Sequence, residues 1–479
     1  MRAHPAGPQH AAGLGGPGWL TEPDDANDLL PQLWPSSARR LSGGGADGVI
    51  SVGGVPVTEL AAQHGTPAYV VDEADFRARA TAFRDAFAEA FADACGGADV
   101  YYAAKAFTCT AVARWLAEDG LRYDACTGGE LAVALRGGTD PAHVLLHGNN
   151  KSDEEINRAV RAGVGKVVVD GFHDIDRTAD AAREAGVRQG VLIRTTVGVE
   201  AHTHDYIATA HEDQKFGLSL ASGQAAEAVR RVLARPELEL RGLHSHIGSQ
   251  IFDVSGFEVA ARRLLGLHAQ VLAEHGLEMP EIDLGGGFGI AYTTQDAPLS
   301  PTALARGMAD VVTAACAQLG VAVPKVSVEP GRAIAGPAGV TLYRVGNVKD
   351  VALGSAEAGL HRRYVAVDGG MSDNIRTALY DADYSAALGG RRSDAAPVLS
   401  RVVGKHCESG DVVVKDEFLP DDVAAGDLLV VPATGAYCHS MASQYNHVPR
   451  PPVVAVRDGE SRVLVRRETE DDLLALDVG

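Results

Sequence analysis

Lys105 closes the apolar run of VYYAAKAF. Burial disfavours a charged amine, so a lysine in an apolar strand end gives up its proton readily and can form a Schiff base with an aldehyde. The plainer alternative is a lysine reaching from the strand end to water. Cys407 stands beside Glu408 in RVVGKHCESGDVVV, between two valine-rich runs. A thiol there is apolar filling, a metal ligand or a proton donor; with an ordinary pKa of about 8.5 it stays protonated at neutral pH. Gly285, Gly286, Gly287 and Gly289 follow the apolar run of EIDL. Glycines in that place make a tight turn or let backbone N–H groups approach a phosphate. The spacing is not G-x-G-x-x-G and no Walker lysine follows, which argues against dinucleotide and P-loop sites.

VEPGR places Glu329 at the end of one strand and Gly331 and Arg332 in the next loop. The guanidinium can grip a phosphate or carboxylate with two prongs, and the carboxylate can bind a protonated ring nitrogen; a surface ion pair is the alternative. LHSHIGSQ supplies His244, His246 and Ser249, and AHTHD supplies His202 and His204. Alternate residues of a strand face opposite sides, so one histidine of each pair is expected to face a pocket. These histidines offer no convincing third ligand for a metal, and none is expected. Arg376 and Tyr380 lie four apart in DGGMSDNIRTALY and share a face if that segment is helical. Tyr437 follows a glycine turn in GAYCHSMASQYN.

What positions these residues is a change of texture along the chain. From about residue 68 to 335, short apolar runs (PAYVVD, DVYYAAKA, RYDAC, HVLLHG, KVVVD, GVLIRT, ELRGLHSHIG, EIDLGGG, KVSVEPG) alternate with stretches whose apolar residues recur at helical spacing. Repeated strand–helix units predict a parallel sheet, and about eight of them suit a (β/α)8 TIM barrel; a doubly wound sheet is the alternative. Beyond about 340 the runs are short, valine-rich and punctuated by turn residues, as in a β-rich domain. VISVGGVPV near residue 50 has the same character and is expected to associate with it. The reading is therefore α/β plus β. A flexible extension covers 1–47, a strand region of the second domain 48–72, the barrel 73–338 and the C-terminal β-domain 339–479.

With 479 residues, more than one core is expected. A net charge of −20 without a long basic run argues against nucleic acid or an anionic membrane as the main partner. The six cysteines form no C-x-x-C pair, and neither a membrane-length apolar stretch nor a signal-peptide core is present, so a reducing cytoplasm is expected.

In chain order, YYAAKAF, HSHIGSQ, GGGFG, EPGR, DGGMSDNIR, CESGD and GAY with SMAS and YN resemble the fold-type III pyridoxal-phosphate decarboxylases, most of all the diaminopimelate decarboxylase branch. The similarity runs from about residue 48 to the C-terminus. The resemblance implies an alanine-racemase-like barrel with a C-terminal β-domain, pyridoxal 5′-phosphate as cofactor, and a head-to-tail homodimer with shared active sites. It implies that Lys105 binds the cofactor aldehyde and His246 stacks on its ring. Ser249, Gly286, Gly287, Glu329, Gly331 and Arg332 would hold the phosphate, with Glu329 also on the ring nitrogen, and Tyr437 would complete that site. Arg332, Arg376, Tyr380, Glu408 and Tyr437 would contact substrate, and Cys407 would be the acid, reaching in with Glu408 from the partner subunit. The implied reaction is decarboxylation of meso-2,6-diaminopimelate to L-lysine, the last step of lysine biosynthesis. Lys405, Thr377 and Gln444 depart from the usual pattern, which leaves open a related decarboxylase of another diamino acid or a carboxylated polyamine. A regulatory homologue without activity is disfavoured because Lys105 and Cys407 are both present.

Overall fold

A computed structural model describes residues 16–43, 46–198, 215–352 and 361–479. Its contacts divide the chain into two units. One comprises Arg77–Gly289 and Pro298–Ile334; the other comprises the described residues up to Phe76, Ile290–Ala297 and the chain from Ala335.

The first unit is a closed parallel barrel. Its strands run in the order Ala98–Ala103, Arg122–Ala125, Val144–Leu146, Lys166–Val169, Gln189–Thr196, Leu238–His244, Glu281–Asp283 and Lys325–Val328. The last pairs back onto the first, with Val326 opposite Ala98. Each strand is followed by a helix or loop that returns the chain to the starting end, as parallel pairing requires. The interior is layered. Tyr101, Leu145, Val168 and Leu192 form an apolar plug. On one side of the plug, Lys166 Nζ meets Glu281 Oε1 at 2.7 Å and lies 5.0 Å from the Tyr101 ring centre. On the other, at the carboxyl ends of the strands, stand the ionisable residues of the candidate site.

The second unit is β-rich. The fourteen-residue strand Gly339–Ala352 is its spine: the first half pairs with Ala68–Asp72 and Leu428–Val431, and the second half with His361–Val367. Ala68–Asp72 (the PAYVVD run) lies within the alternating stretch of the sequence and also at the end of the 48–72 region assigned to the second domain; it pairs with Gly339–Ala352 and Val453–Arg457 and not with the barrel. All five of its residues are buried, and burial on both faces is common to barrel strands and central sheet strands. VISVGGVPV packs into this unit, where Ile50, Val52 and Val55 share a core with Val340, Leu342 and Val430, but its strands form a small sheet of their own. The extension assigned to 1–47 is not flexible throughout. Leu33 and Trp34 are buried in that same core, since the apolar side chains of LLPQLW have a face to fill. Among the described residues no helix is long and apolar enough to cross a membrane. None of the six cysteines forms a disulfide.

Candidate active site

Lys105 sits just beyond the strand Ala98–Ala103, on the one-turn helix Ala104–Ala106. It is exposed between two buried alanines, so the apolar environment expected for it is absent; the turn, not the strand, carries it outward. It lines a cavity of about 380 Å³ at the carboxyl ends of the barrel strands, together with Asp124, His147, Arg194, His244, His246 and Glu329.

The centre of that cavity is Glu329. Its Oε1 accepts a hydrogen bond from His147 Nε2 at 2.7 Å and lies 3.3 Å from His244 Nε2. Burial pushes Glu329 up, but the two imidazoles and their hydrogen bonds outweigh it and hold the carboxylate well below the usual range. Burial pushes His147 down to about 3 and His244 and His246 down as well. Neutral imidazole N–H groups therefore hold an ionised carboxylate, and Oε2, 3.5 Å from His244, keeps capacity for another donor. Burial, then the nearby Glu329, raises Asp124 well above its ordinary value. The expectation that only one of His244 and His246 faces the pocket fails. The strand ends at His244, so the alternation no longer governs His246, and both line the cavity. His202 and His204 lie outside the described residues.

Three loops meet beside it. Gly286 N–H donates to His246 Nδ1 at 3.2 Å, and Arg332 Nη2 donates to Ser249 Oγ at 2.8 Å. The glycines are required by space: a Cβ on Gly286 would lie 2.1 Å from the Glu329 carbonyl oxygen, and one on Gly287, at φ +102°, 2.3 Å from that of Gly248. A Cβ on Gly331 would lie 2.9 Å from Ala103. An amine, an ionised carboxylate with an open lone pair, and a glycine turn flanked by a hydroxyl and a guanidinium are the donor set that a pyridine aldehyde phosphate needs. His147, His244 and Glu329 could also gather round a metal ion; the 2.7 Å contact is a hydrogen bond that already satisfies the pair.

The remaining candidates belong to the β-rich unit. Arg376 and Tyr380 bound a short helix, Arg376 buried and Tyr380 half-buried. The Arg376 guanidinium donates to the Tyr384 hydroxyl and lies 4.6 Å from the Tyr292 ring centre and 5.5 Å from that of Tyr384. Among the described residues no carboxylate pairs with it, and its Nε has no hydrogen-bond partner. Cys407 and Glu408 are exposed on a turn whose preceding residue is buried: His406 bonds to Ser372 Oγ at 2.8 Å and Asn446 Oδ1 at 3.1 Å. Tyr437 is half-buried and holds a left-handed φ of +64°.

His147, Asp124, Arg194, Tyr292 and Tyr384 went unnoticed in the sequence. His147 carried a usable signal, since it directly follows an apolar strand run as Lys105 nearly does. Tyr292 and Tyr384 carried none beyond being aromatic.

Residues 74–336 match the family model of the pyridoxal-dependent decarboxylase pyridoxal-binding domain. Diaminopimelate decarboxylase of Mycobacterium tuberculosis is 55% identical over 94% of this chain and 98% of its own, and that of Bacillus subtilis 44% identical over 90% and 95%. The crystal structure of diaminopimelate decarboxylase from M. jannaschii in complex with L-lysine superposes with a TM-score of 0.83 at 30% identity, covering 93% of this chain and 99% of that one. The family model spans more than half of the sequence and the relatives nearly all of it, so the chain belongs to the diaminopimelate decarboxylases of the pyridoxal-dependent decarboxylase family.

Proposed function

We propose that this chain decarboxylates meso-2,6-diaminopimelate to L-lysine and CO2 with pyridoxal 5′-phosphate, as the last step of lysine biosynthesis. The observation that carries the substrate reading is Arg376, a buried guanidinium whose partners are a phenol and aromatic faces. A buried cation without a counterion is costly, and a substrate carboxylate supplies one. Diaminopimelate has such a group at its far end; ornithine and simple diamines do not.

Pyridoxal phosphate, when bound, supplies an electron sink for the bond to the departing carboxylate. The chain's residues then divide the work. Lys105 would hold the cofactor through its amine. Glu329, kept ionised by His147 and His244, would hold a proton on the ring nitrogen, and His246 would contact the ring. Gly286, Gly287 and Gly331 would present close backbone to the phosphate, with Ser249 and Arg332 as its side-chain donors, and Tyr437 would complete the cofactor site. Arg332, Arg376, Tyr380 and Tyr437 orient the substrate, and Glu408 takes its distal ammonium. As CO2 leaves, its bonding electrons stay on carbon, and the Cys407 thiol delivers the proton there. Cys407 and Glu408 act from a partner subunit in a cytoplasmic homodimer. Their exposure on an anchored turn of the single chain supports that assignment, and the charge of −20 supports a role away from nucleic acid and membranes.

The test is CO2 release from the holoenzyme offered meso-diaminopimelate, L-lysine, L-ornithine and L-arginine separately. Turnover of diaminopimelate alone is expected; turnover of another substrate would move the specificity to it. Mixed dimers of inactive Lys105→Ala and Cys407→Ala chains are expected to regain activity, and no recovery would refute the shared site.

A further inference from the structure

We propose that Tyr384 is a positioning residue: its hydroxyl presets the Arg376 guanidinium for the substrate carboxylate that survives into the product. This rests on the reading of Arg376 given above. The meso substrate has one D and one L centre, and L-lysine keeps the L centre. The carboxylate that leaves is therefore the D one, and the L carboxylate is common to substrate and product. A clamp on that group binds both alike, which is uniform binding and acts on affinity without touching the chemical step.

The cage shows why a phenol does this. The Tyr292 and Tyr384 rings fix where the guanidinium lies, but aromatic faces impose little direction on its N–H groups. Among the described residues, the one hydrogen bond this guanidinium makes runs from Nη1 to the Tyr384 hydroxyl. That hydroxyl is itself held, with Cys438 Sγ at 3.6 Å and the ring packed edge-on against Tyr292 at 5.2 Å. Burial keeps the phenol neutral by raising its pKa well above the ordinary value. A carboxylate in the same place would also orient Arg376 but would cancel its charge. A neutral acceptor orients the guanidinium and leaves its whole charge for the substrate.

The experiment compares Tyr384→Phe with wild type as holoenzymes, measuring kcat, KM for meso-diaminopimelate and the inhibition constant of L-lysine. KM and the inhibition constant are expected to rise by a common factor of about ten, with kcat changed less than about twofold. Phe keeps the ring against Tyr292, so folding is preserved. Tyr384→His, which retains a neutral acceptor, is expected to recover part of the loss, and it provides the same common-factor readout if the Phe variant does not accumulate. A fall in kcat with both constants unchanged overturns the proposal, as does a rise in KM without weaker inhibition by lysine. Arg376→Lys separates the two levels. If it leaves both constants unchanged, the reading of Arg376 itself fails. If it raises both while Tyr384→Phe raises neither, only the positioning role fails.

Discussion

Lys166 and Arg376 are both buried cations, one in each unit, and they are treated oppositely. Lys166 is answered within the fold by Glu281 at 2.7 Å, and it closes the end of the barrel away from the candidate site. Arg376 is surrounded with equal care, by Tyr292 and Tyr384, but by groups that cannot neutralise it. A buried charge that the protein pairs itself is part of the architecture. One left unpaired has its partner outside the chain. Glu329 stands between the two: His147 and His244 hydrogen-bond its charge within the fold, while its Oε2 keeps capacity for a donor from outside.

The sharpest way to break this contrast is Arg376→Met. It should lower kcat/KM for diaminopimelate by about a thousandfold, roughly 4 kcal/mol. The melting temperature should hold or rise, since an uncompensated buried charge has been removed. A variant that melted lower and kept its KM would make Arg376 structural. Lys166→Met should do the reverse. Leaving Glu281 buried alone costs about 3 kcal/mol of stability, read from chemical denaturation, with KM unchanged; adding Glu281→Met should return most of the loss.

Gly286→Ala should weaken cofactor binding about tenfold, near 1.4 kcal/mol, because the new methyl meets the Glu329 carbonyl. Titration of apoenzyme with pyridoxal phosphate checks this, and unaltered affinity would show that the turn adapts. A last effect, of a different kind, concerns pH. Burial holds His147 near 3 against an ordinary 6.5. The unfolded chain therefore takes up a proton below about 6.5 that the folded chain refuses. Stability present above 6.5 should be lost as pH falls toward 3, and the depressed Glu329 adds loss in the same direction below its ordinary 4.5. In His147→Gln the slope between 6.5 and 4.5 should flatten. A slope that stayed the same would place the titration elsewhere.

The barrel was legible because parallel strands buried on both faces leave long apolar runs between helices of plain amphipathic period. Ala68–Asp72 read two ways, as one of the alternating apolar runs and, through the 48–72 boundary, as part of the second domain, since a buried strand reads alike in either sheet and pairing partners hundreds of residues away leave no local mark. Lys105, Glu329 and the three glycines announced themselves as polar or flexible residues directly after apolar runs. The Arg376 cage stayed hidden for the opposite reason: its walls are ordinary aromatics from two distant stretches, and only the fold makes them neighbours.

The strand Ala68–Asp72 has a consequence for how the protein is born. Its neighbours are Leu342 to Gly339 on one side and Val453 to Val456 on the other. At synthesis rates of about 5–20 residues per second, a ribosome finishes this strand tens of seconds before it makes the second neighbour. Through that interval the whole barrel emerges, and one hydrogen-bonding edge of this buried strand stays open even after Gly339–Leu342 has been made. The barrel can close on the ribosome before the β-rich unit, which waits for Val453–Arg457. A chain cut short just before Val453 would leave one edge of that strand permanently unpaired, a template for aggregation beside a complete barrel.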